Sequence, residues 1–179
     1  MRFKSKLVLV LVFIIMSFSA FAAKSNKKED VKMPNIVLYD QYGKKHNLEE
    51  YKGKVVVINF WATWCGYCVE EMPAFEKVYK EFGSNKKDVI ILGVAGPKSK
   101  ENQNNVDVEK DKIISFLKKK NITYPTLMDE VGKSFDDYKV RALPMTYVIN
   151  KDGYLEGFVS GAITSEQLRK AVNETLKKK

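Results

Sequence analysis

The feature that most constrains the fold is a nearly unbroken apolar run at Val55–Phe60 (VVVINF). A strand with one face in water alternates apolar and polar side chains. This run does not, so it predicts a strand buried on both faces. Residues 89–94 (VIILGV) form a second run of the same type. Strands buried on both faces need covering layers above and below the sheet, which indicates an α/β architecture.

Helical periodicity elsewhere in the chain supplies those layers. Apolar side chains recur at helical spacing through residues 67–82, and Gly83 marks the end of that helix. Residues 108–120 form a second amphipathic helix, and Thr164 begins the last one. The remaining elements are short: strands at 36–40 and 126–128, a helix at 131–138, and a hairpin of 145–150 with 154–160. This order predicts a central mixed β-sheet flanked by helices on both faces, with an N-terminal β-hairpin extension.

The N-terminus has the three parts of an export signal. Basic residues at positions 2, 4 and 6 precede an apolar segment, and residues 20–22 (AFA) offer a cleavage site. The low-polarity stretch 7–23 is also close to the length of a membrane span, which leaves an uncleaved anchor open. We therefore expect a signal peptide or membrane anchor at 1–22, a polar spacer at 23–34 and one domain at 35–179.

The net charge of +9 does not indicate a nucleic-acid site. Much of it lies near the two ends of the chain, where basic residues are typically solvated. No basic stripe interleaved with stacking aromatic residues occurs in the body of the sequence. Nucleic acid is therefore excluded as the expected partner.

The chain has two cysteines, Cys65 and Cys68, three positions apart. A disulfide that closes so small a loop cannot stabilise the whole fold, so we expect this disulfide to be formed and reduced during function. The pair follows the buried strand and opens a helix, where the dipole and the free N–H groups stabilise a thiolate at Cys65. Cys68 lies one turn deeper, where it can resolve a mixed disulfide formed by Cys65.

Metal binding is the main alternative for such a pair. Zinc needs four ligands, and in addition to the two thiols the sequence offers only one histidine, His46. A two-thiolate copper(I) site stays open, because soft thiolates suit that ion. His46 itself is expected to be a solvated loop residue. We expect no cofactor.

Residues 60–68 (FWATWCGYC), followed by 71–73 (EMP), resemble the TlpA/ResA-like branch of the thioredoxin superfamily. Further matches are 52–54 (KGK) before the buried strand and 151–153 (KDG) at the hairpin turn, and the resemblance covers residues 36–176. It implies a thioredoxin fold. It also implies a cis proline at Pro144 beside the disulfide, although the residues alone allow an ordinary trans edge proline there.

Two positions, 59 and 67, depart from cytosolic thioredoxin. Asn59 stands where thioredoxins have an ionisable Asp. The resemblance instead places a glutamate, Glu71, where related reductases have one. We expect Glu71 to tune or deprotonate Cys68 one turn away. The alternative is that Glu71, like Glu70, simply occupies a helix beginning. Tyr67 replaces a proline between the cysteines, which puts the direction of electron flow in doubt.

The expected site therefore has two parts. The catalytic residues are Cys65, Cys68 and Glu71. The substrate-binding residues are Trp64, Gly66, Tyr67, Leu143 and Pro144. Trp61 is expected in the core, and Trp64 is expected to be partly exposed beside Cys65.

The resemblance implies an extracytoplasmic thiol–disulfide oxidoreductase that acts as a monomer and reduces exported client proteins. Family members receive electrons from a membrane thiol transporter, and their clients include apocytochrome c and exported methionine sulfoxide reductases. A weak likeness at 93–97 and in the polar loop after it favours the second client. The alternatives are an oxidase or isomerase with the same site, and a copper(I) carrier.

Overall fold

The computed structural model describes residues 30–178. The expected leader and most of the expected spacer lie outside these residues. Among the described residues, no helix has both the length and the apolar character needed to cross a membrane.

A five-stranded sheet forms the centre of the domain, with the strand order β5-β4-β3-β6-β7. Strand β3 is parallel to β4 and antiparallel to β6, so the predicted mixed sheet is confirmed. A separate antiparallel pair, β1 with β2, is the predicted N-terminal hairpin. The strands are β1 Val37–Tyr39, β2 Lys45–Asn47, β3 Val55–Phe60, β4 Val89–Ala95, β5 Thr126–Met128, β6 Met145–Ile149 and β7 Leu155–Ser160.

The helices lie within three residues of the predicted positions. They are α1 Gly66–Glu81, α2 Lys110–Lys119, α3 Lys133–Asp137 and α4 Ser165–Lys177, and a 3-10 turn covers Leu48–Tyr51. Helix α4 begins as the sequence predicts, because Thr164 and Gln167 form a reciprocal capping box.

Both faces of the sheet are buried, as the unbroken apolar run predicts. Val55 and Val57 of β3 belong to a core cluster with apolar residues of α1, α2 and α4. The alternate residues, Val56, Ile58 and Phe60, belong to a second cluster that includes Phe135 of α3. Successive side chains of a strand point to opposite faces, so one apolar strand contributes to two cores.

The expectation that His46 is a solvated loop residue is wrong. His46 lies in β2 and is buried. Its Nε2 is 2.9 Å from Asp40 Oδ2 and its Nδ1 is 2.5 Å from the Tyr51 hydroxyl. The hairpin packs along the edge of the central sheet, where Asp40 forms a bridge with Leu127 of β5. His46 is thus hydrogen-bonded to two side chains within six positions of it, but no local pattern in the sequence reports this pairing or its burial.

Part of the expected spacer is bound to the domain. The Leu155 N–H donates to the Val31 carbonyl at 2.8 Å, and the Met33 N–H donates to the Gly153 carbonyl at 3.0 Å. Lys32 forms a bridge with Tyr154. Residues 31–33 therefore lie against the hairpin of β6 and β7.

We predict that Gly93→Ala destabilises the fold by about 1–3 kcal/mol through overpacking. A Cβ at Gly93, in β4, would lie 2.8 Å from Thr126 Oγ1 and 3.0 Å from Trp61 Nε1. Gly157→Ala in β7 is the matched control, because a Cβ there has no neighbour within 4 Å. Urea denaturation of the oxidised proteins measures both effects. Equal midpoints for Gly93→Ala and wild type would contradict the packing described here.

Candidate active site

Cys65 occupies the N-cap of α1, immediately after the loop that follows β3. Its backbone is extended (φ −82°, ψ 105°), and its Sγ accepts the Cys68 N–H at 3.2 Å. The sulfur therefore holds the position that an N-capping oxygen usually takes. The same N–H and the helix dipole stabilise negative charge on this sulfur when the pair is reduced.

Cys65 and Cys68 form a disulfide, with their Cα atoms 5.2 Å apart. Cys65 is 5% exposed and Cys68 is 1% exposed. Cys65 is thus the more accessible sulfur, in the order expected for an attacking and a resolving cysteine.

Exposed aromatic side chains border the disulfide. Trp64 and Tyr67 are both largely exposed, and Gly66 between them is also exposed, whereas Trp61 is fully buried. The Trp64 Nε1–H donates to the Val106 carbonyl at 2.8 Å. The two tryptophans lie where the sequence predicts, and Trp64 and Tyr67 give the disulfide an amphipathic rim.

The Leu143–Pro144 peptide bond is cis, as the resemblance implies. Pro144 is buried and directly precedes β6, whose first residue, Met145, pairs with Phe60 at the end of β3. The Pro144 carbonyl accepts the Gly161 N–H at 2.9 Å. Strand pairing therefore brings the cis proline to the edge of the sheet from which the cysteine motif emerges.

Glu71 is buried, which separates it from its exposed neighbour Glu70. Its Oε1 accepts the Asn59 Nδ2–H at 2.8 Å, and its Oε2 accepts the Ile163 N–H at 2.9 Å. Burial raises the pKa of Glu71 to about 7, against the opposing effect of the hydrogen bonds from Ile163 and Asn59. A carboxyl with this pKa can both accept and donate a proton near neutral pH.

Asn59 connects Glu71 to the sheet. Besides Glu71, its Nδ2 donates to the Thr146 hydroxyl at 3.1 Å, across the β3–β6 ladder. An amide can donate in this way at any pH, whereas an aspartate at 59 would place two carboxyl groups in contact. The departure from thioredoxin at Asn59 therefore fits a site in which Glu71 is the ionisable group.

Asp107 is a residue of the site that the sequence did not identify. Its Oδ2 accepts the Thr63 N–H at 2.7 Å and its Oδ1 accepts the Thr63 hydroxyl at 2.5 Å. The buried carboxylate thereby fixes the loop two residues before Cys65. Asp107 stands between two valines at the end of a polar loop, and its partner lies 44 positions away. The flanking valines are the only local part of this pattern, so no sequence signal connects Asp107 with Thr63.

The candidate metal ligands do not converge. Within residues 30–178, no group of three or more His, Cys, Asp or Glu side chains is placed to hold a metal ion. His46 has both ring nitrogens within hydrogen-bond distance of Asp40 and Tyr51.

A cystine at the start of the helix after the central strand, with a cis proline at the same end of the sheet, defines a thioredoxin-fold thiol–disulfide oxidoreductase. The family comparison agrees with that class. The model of the AhpC/TSA family matches residues 30–157, and the chain belongs to this family.

Individual relatives are consistent with the TlpA/ResA-like resemblance. The chain is 32% identical over 155 residues to the thiol-disulfide oxidoreductase ResA of Bacillus subtilis strain 168, covering 87% of this chain and 80% of that protein. The exposed lipoprotein thioredoxin of Streptococcus pneumoniae strain TIGR4 superposes with a TM-score of 0.69 at 28% identity, covering 79% of this chain and 99% of that one. StoA from Bacillus subtilis shares the fold, with a TM-score of 0.64 at 23% identity over 77% of this chain and 96% of that one.

We predict that Glu71 makes the oxidised protein less stable as the pH rises. An unfolded glutamate ionises near pH 4.5, whereas folded Glu71 ionises near 7, so the folded state binds the extra proton between these values. Stability therefore falls by about 3 kcal/mol across this interval and levels off above it. Urea denaturation at several pH values measures the slope.

Glu71→Gln should remove that slope. The loss of one hydrogen bond should make the variant less stable than wild type at low pH, and this deficit should disappear above pH 7, where wild type carries the buried charge. Glu76→Gln is the control. The pKa of Glu76 is lowered, because hydrogen bonds from Thr123, Lys80 and Tyr124 outweigh the opposing effect of burial. Glu76 therefore stabilises the fold above its ordinary pKa, and this contribution is lost in acid. A slope that survives Glu71→Gln would show that another group carries it.

Proposed function

We propose that the protein reduces disulfides in exported client proteins through the Cys65–Cys68 dithiol. The observation that carries this proposal is the buried Glu71 carboxyl, one helical turn from the buried cysteine Cys68. Residues three apart on a helix are neighbours on one face, so Glu71 is within reach of Cys68 directly or through one water.

The reaction proceeds in two exchanges. The Cys65 thiolate attacks one sulfur of the client disulfide, forms a mixed disulfide and releases the other client sulfur as a thiolate, which takes a proton from water. Glu71 then accepts the proton of the Cys68 thiol, and the resulting thiolate attacks Cys65. The second client thiolate leaves and is protonated. Two electrons pass to the client, and the enzyme is left with its Cys65–Cys68 disulfide.

Glu71 also favours the reducing direction. Glu71 lies one helical turn from Cys68 in a buried site. A negative charge on its carboxylate disfavours a thiolate in the reduced pair. A reduced form that is destabilised relative to the disulfide gives a lower reduction potential, which is what a reductant needs. Tyr67 in place of proline favours the second candidate, an oxidase or isomerase with the same residues.

The leader and the relatives support an extracytoplasmic setting for the reaction. Residues 1–22 direct the domain out of the cytoplasm as a signal peptide or anchor, residues 23–34 act as a spacer, and the domain from 35 onward acts as a monomer. One structural relative is itself described as an exposed lipoprotein. A membrane thiol transporter returns electrons to the oxidised enzyme.

The client binds across the rim of the disulfide. Trp64, Gly66 and Tyr67 contact it on one side, and the backbone at Leu143 and Pro144 contacts it on the other. We favour an exported methionine sulfoxide reductase as the client over apocytochrome c.

We predict a reduction potential well below about −220 mV for the Cys65–Cys68 pair, measured by equilibration with thiol buffers. Glu71→Gln should raise the potential at pH 8 by about 30 mV, the equivalent of a tenfold change in the equilibrium. This difference should shrink at pH 5, where Glu71 is protonated and carries no charge.

Glu70→Gln is the matched control for that measurement, because Glu70 precedes Glu71 on the same helix but is exposed. It should leave the potential unchanged at both pH values. A wild-type value near about −120 mV would instead identify an oxidant and overturn the proposed direction.

We predict that Cys68→Ser traps clients as mixed disulfides, because Cys65 still attacks but nothing resolves the adduct. The variant is expressed in the native host, and its adducts are isolated under non-reducing conditions and identified by mass spectrometry. The double variant Cys65→Ser/Cys68→Ser is the background. A methionine sulfoxide reductase enriched above that background supports the preferred client, and apocytochrome c in its place overturns that preference. No enriched exported protein would contradict the proposed reaction itself.

A further inference from the structure

The end of the sheet opposite the disulfide, where β3 and β4 begin, is rich in lysine. Val55, the first residue of β3, pairs with Val89, the first residue of β4. Strand β6 ends at the same place, because its last residue, Ile149, pairs with Val56. The loops that meet there carry a set of lysines that we call the basic edge: Lys32, Lys52, Lys54, Lys86, Lys87 and Lys151. Four of these, all except Lys54 and Lys151, are exposed.

A cavity of about 510 Å³ opens within the basic edge. Its lining includes the apolar side chains of Met33, Leu48, Val56 and Ile149. Four lysines of the basic edge also line it, together with two carboxylates, Glu49 and Asp152. The cavity therefore combines apolar side chains with an excess of positive charge, which is the chemistry of a surface that meets anionic lipid headgroups.

The chain also enters the domain at this edge. Residues 31–33 hydrogen-bond to the hairpin of β6 and β7, beside Lys151. The apolar stretch 7–23, a candidate anchor, ends seven residues before Asp30. Seven residues span at most about 25 Å when fully extended. An uncleaved anchor would therefore keep the point where the chain enters the domain, beside the basic edge, within about 25 Å of the bilayer.

We propose that the basic edge is a docking surface for a bilayer that contains anionic phospholipids. Each lysine brought to such a surface strengthens binding by about fivefold, and salt screens the attraction within a Debye length. Docking by this edge turns Cys65 away from the bilayer, because the cysteine motif follows the opposite end of β3. The inference is independent of the proposed direction of electron flow.

Lysine labelling on vesicles tests the orientation. The full chain is reconstituted into phosphatidylcholine vesicles with or without phosphatidylglycerol and treated with a membrane-impermeant acylating reagent. Labelling of individual lysines is then quantified by mass spectrometry. Lys52 and Lys54 should react several-fold more slowly on the anionic vesicles, and high salt should restore their rate. Lys100 and Lys112, which are exposed near the disulfide end, should react equally on both kinds of vesicle.

Two charge-reversal variants complete the test. Lys52→Glu/Lys54→Glu should abolish the lipid-dependent protection of Lys86 and Lys87, whereas Lys100→Glu/Lys112→Glu, with the same change in net charge, should retain it. Equal labelling of Lys52 and Lys54 on anionic and neutral vesicles overturns the proposal. Equal protection of Lys100 and Lys112 overturns it as well, because attraction would then reflect net charge and no particular surface.

Discussion

The hydrogen bonds of Glu71 tie together the parts of the molecule on which the site depends. One carboxyl group accepts from Asn59 of the central strand and from the Ile163 backbone just before α4, while its own residue lies in α1. Both cysteines share a core cluster with Ile163. A buried carboxyl is costly unless its oxygens are satisfied, so the position of Glu71 is strictly defined. The carboxyl that we propose as the proton acceptor for Cys68 therefore also connects three parts of the fold, so a change at Glu71 affects both packing and chemistry.

Much of the fold could be predicted because its signals are local. The unbroken apolar run of β3 reports burial on both faces, the spacing along α1 reports a helix, and the Thr164 capping box reports where α4 begins. His46 shows the limit. Whether a polar residue in a short strand is wet or buried depends on which element covers it, and the sheet edge that covers this hairpin lies some eighty residues further along the chain.

The site divides in the same way. A few adjacent residues predict the two cysteines at a helix start and their order of exposure. The cis proline at Pro144 follows from the family resemblance. The burial of Glu71 depends on Ile163, which is 92 positions away, and the clamp on Thr63 depends on Asp107. Contacts of that range are set by the topology of the sheet, which brings the ends of separate segments to one edge. Sequence periodicity carries no information about them.

The loop between β4 and α2 has a consequence of its own. Asp107 of this loop accepts the backbone N–H of Thr63, and the Val106 carbonyl accepts the Trp64 Nε1–H. Neither hydrogen bond involves a sulfur atom. The loop therefore forms part of the rim without taking part in the exchange. Changes in its length or composition can alter which proteins fit against the rim while the sulfur chemistry stays the same. Related proteins can therefore differ in their substrates through changes in this loop alone, while the cysteine pair and its surroundings stay the same.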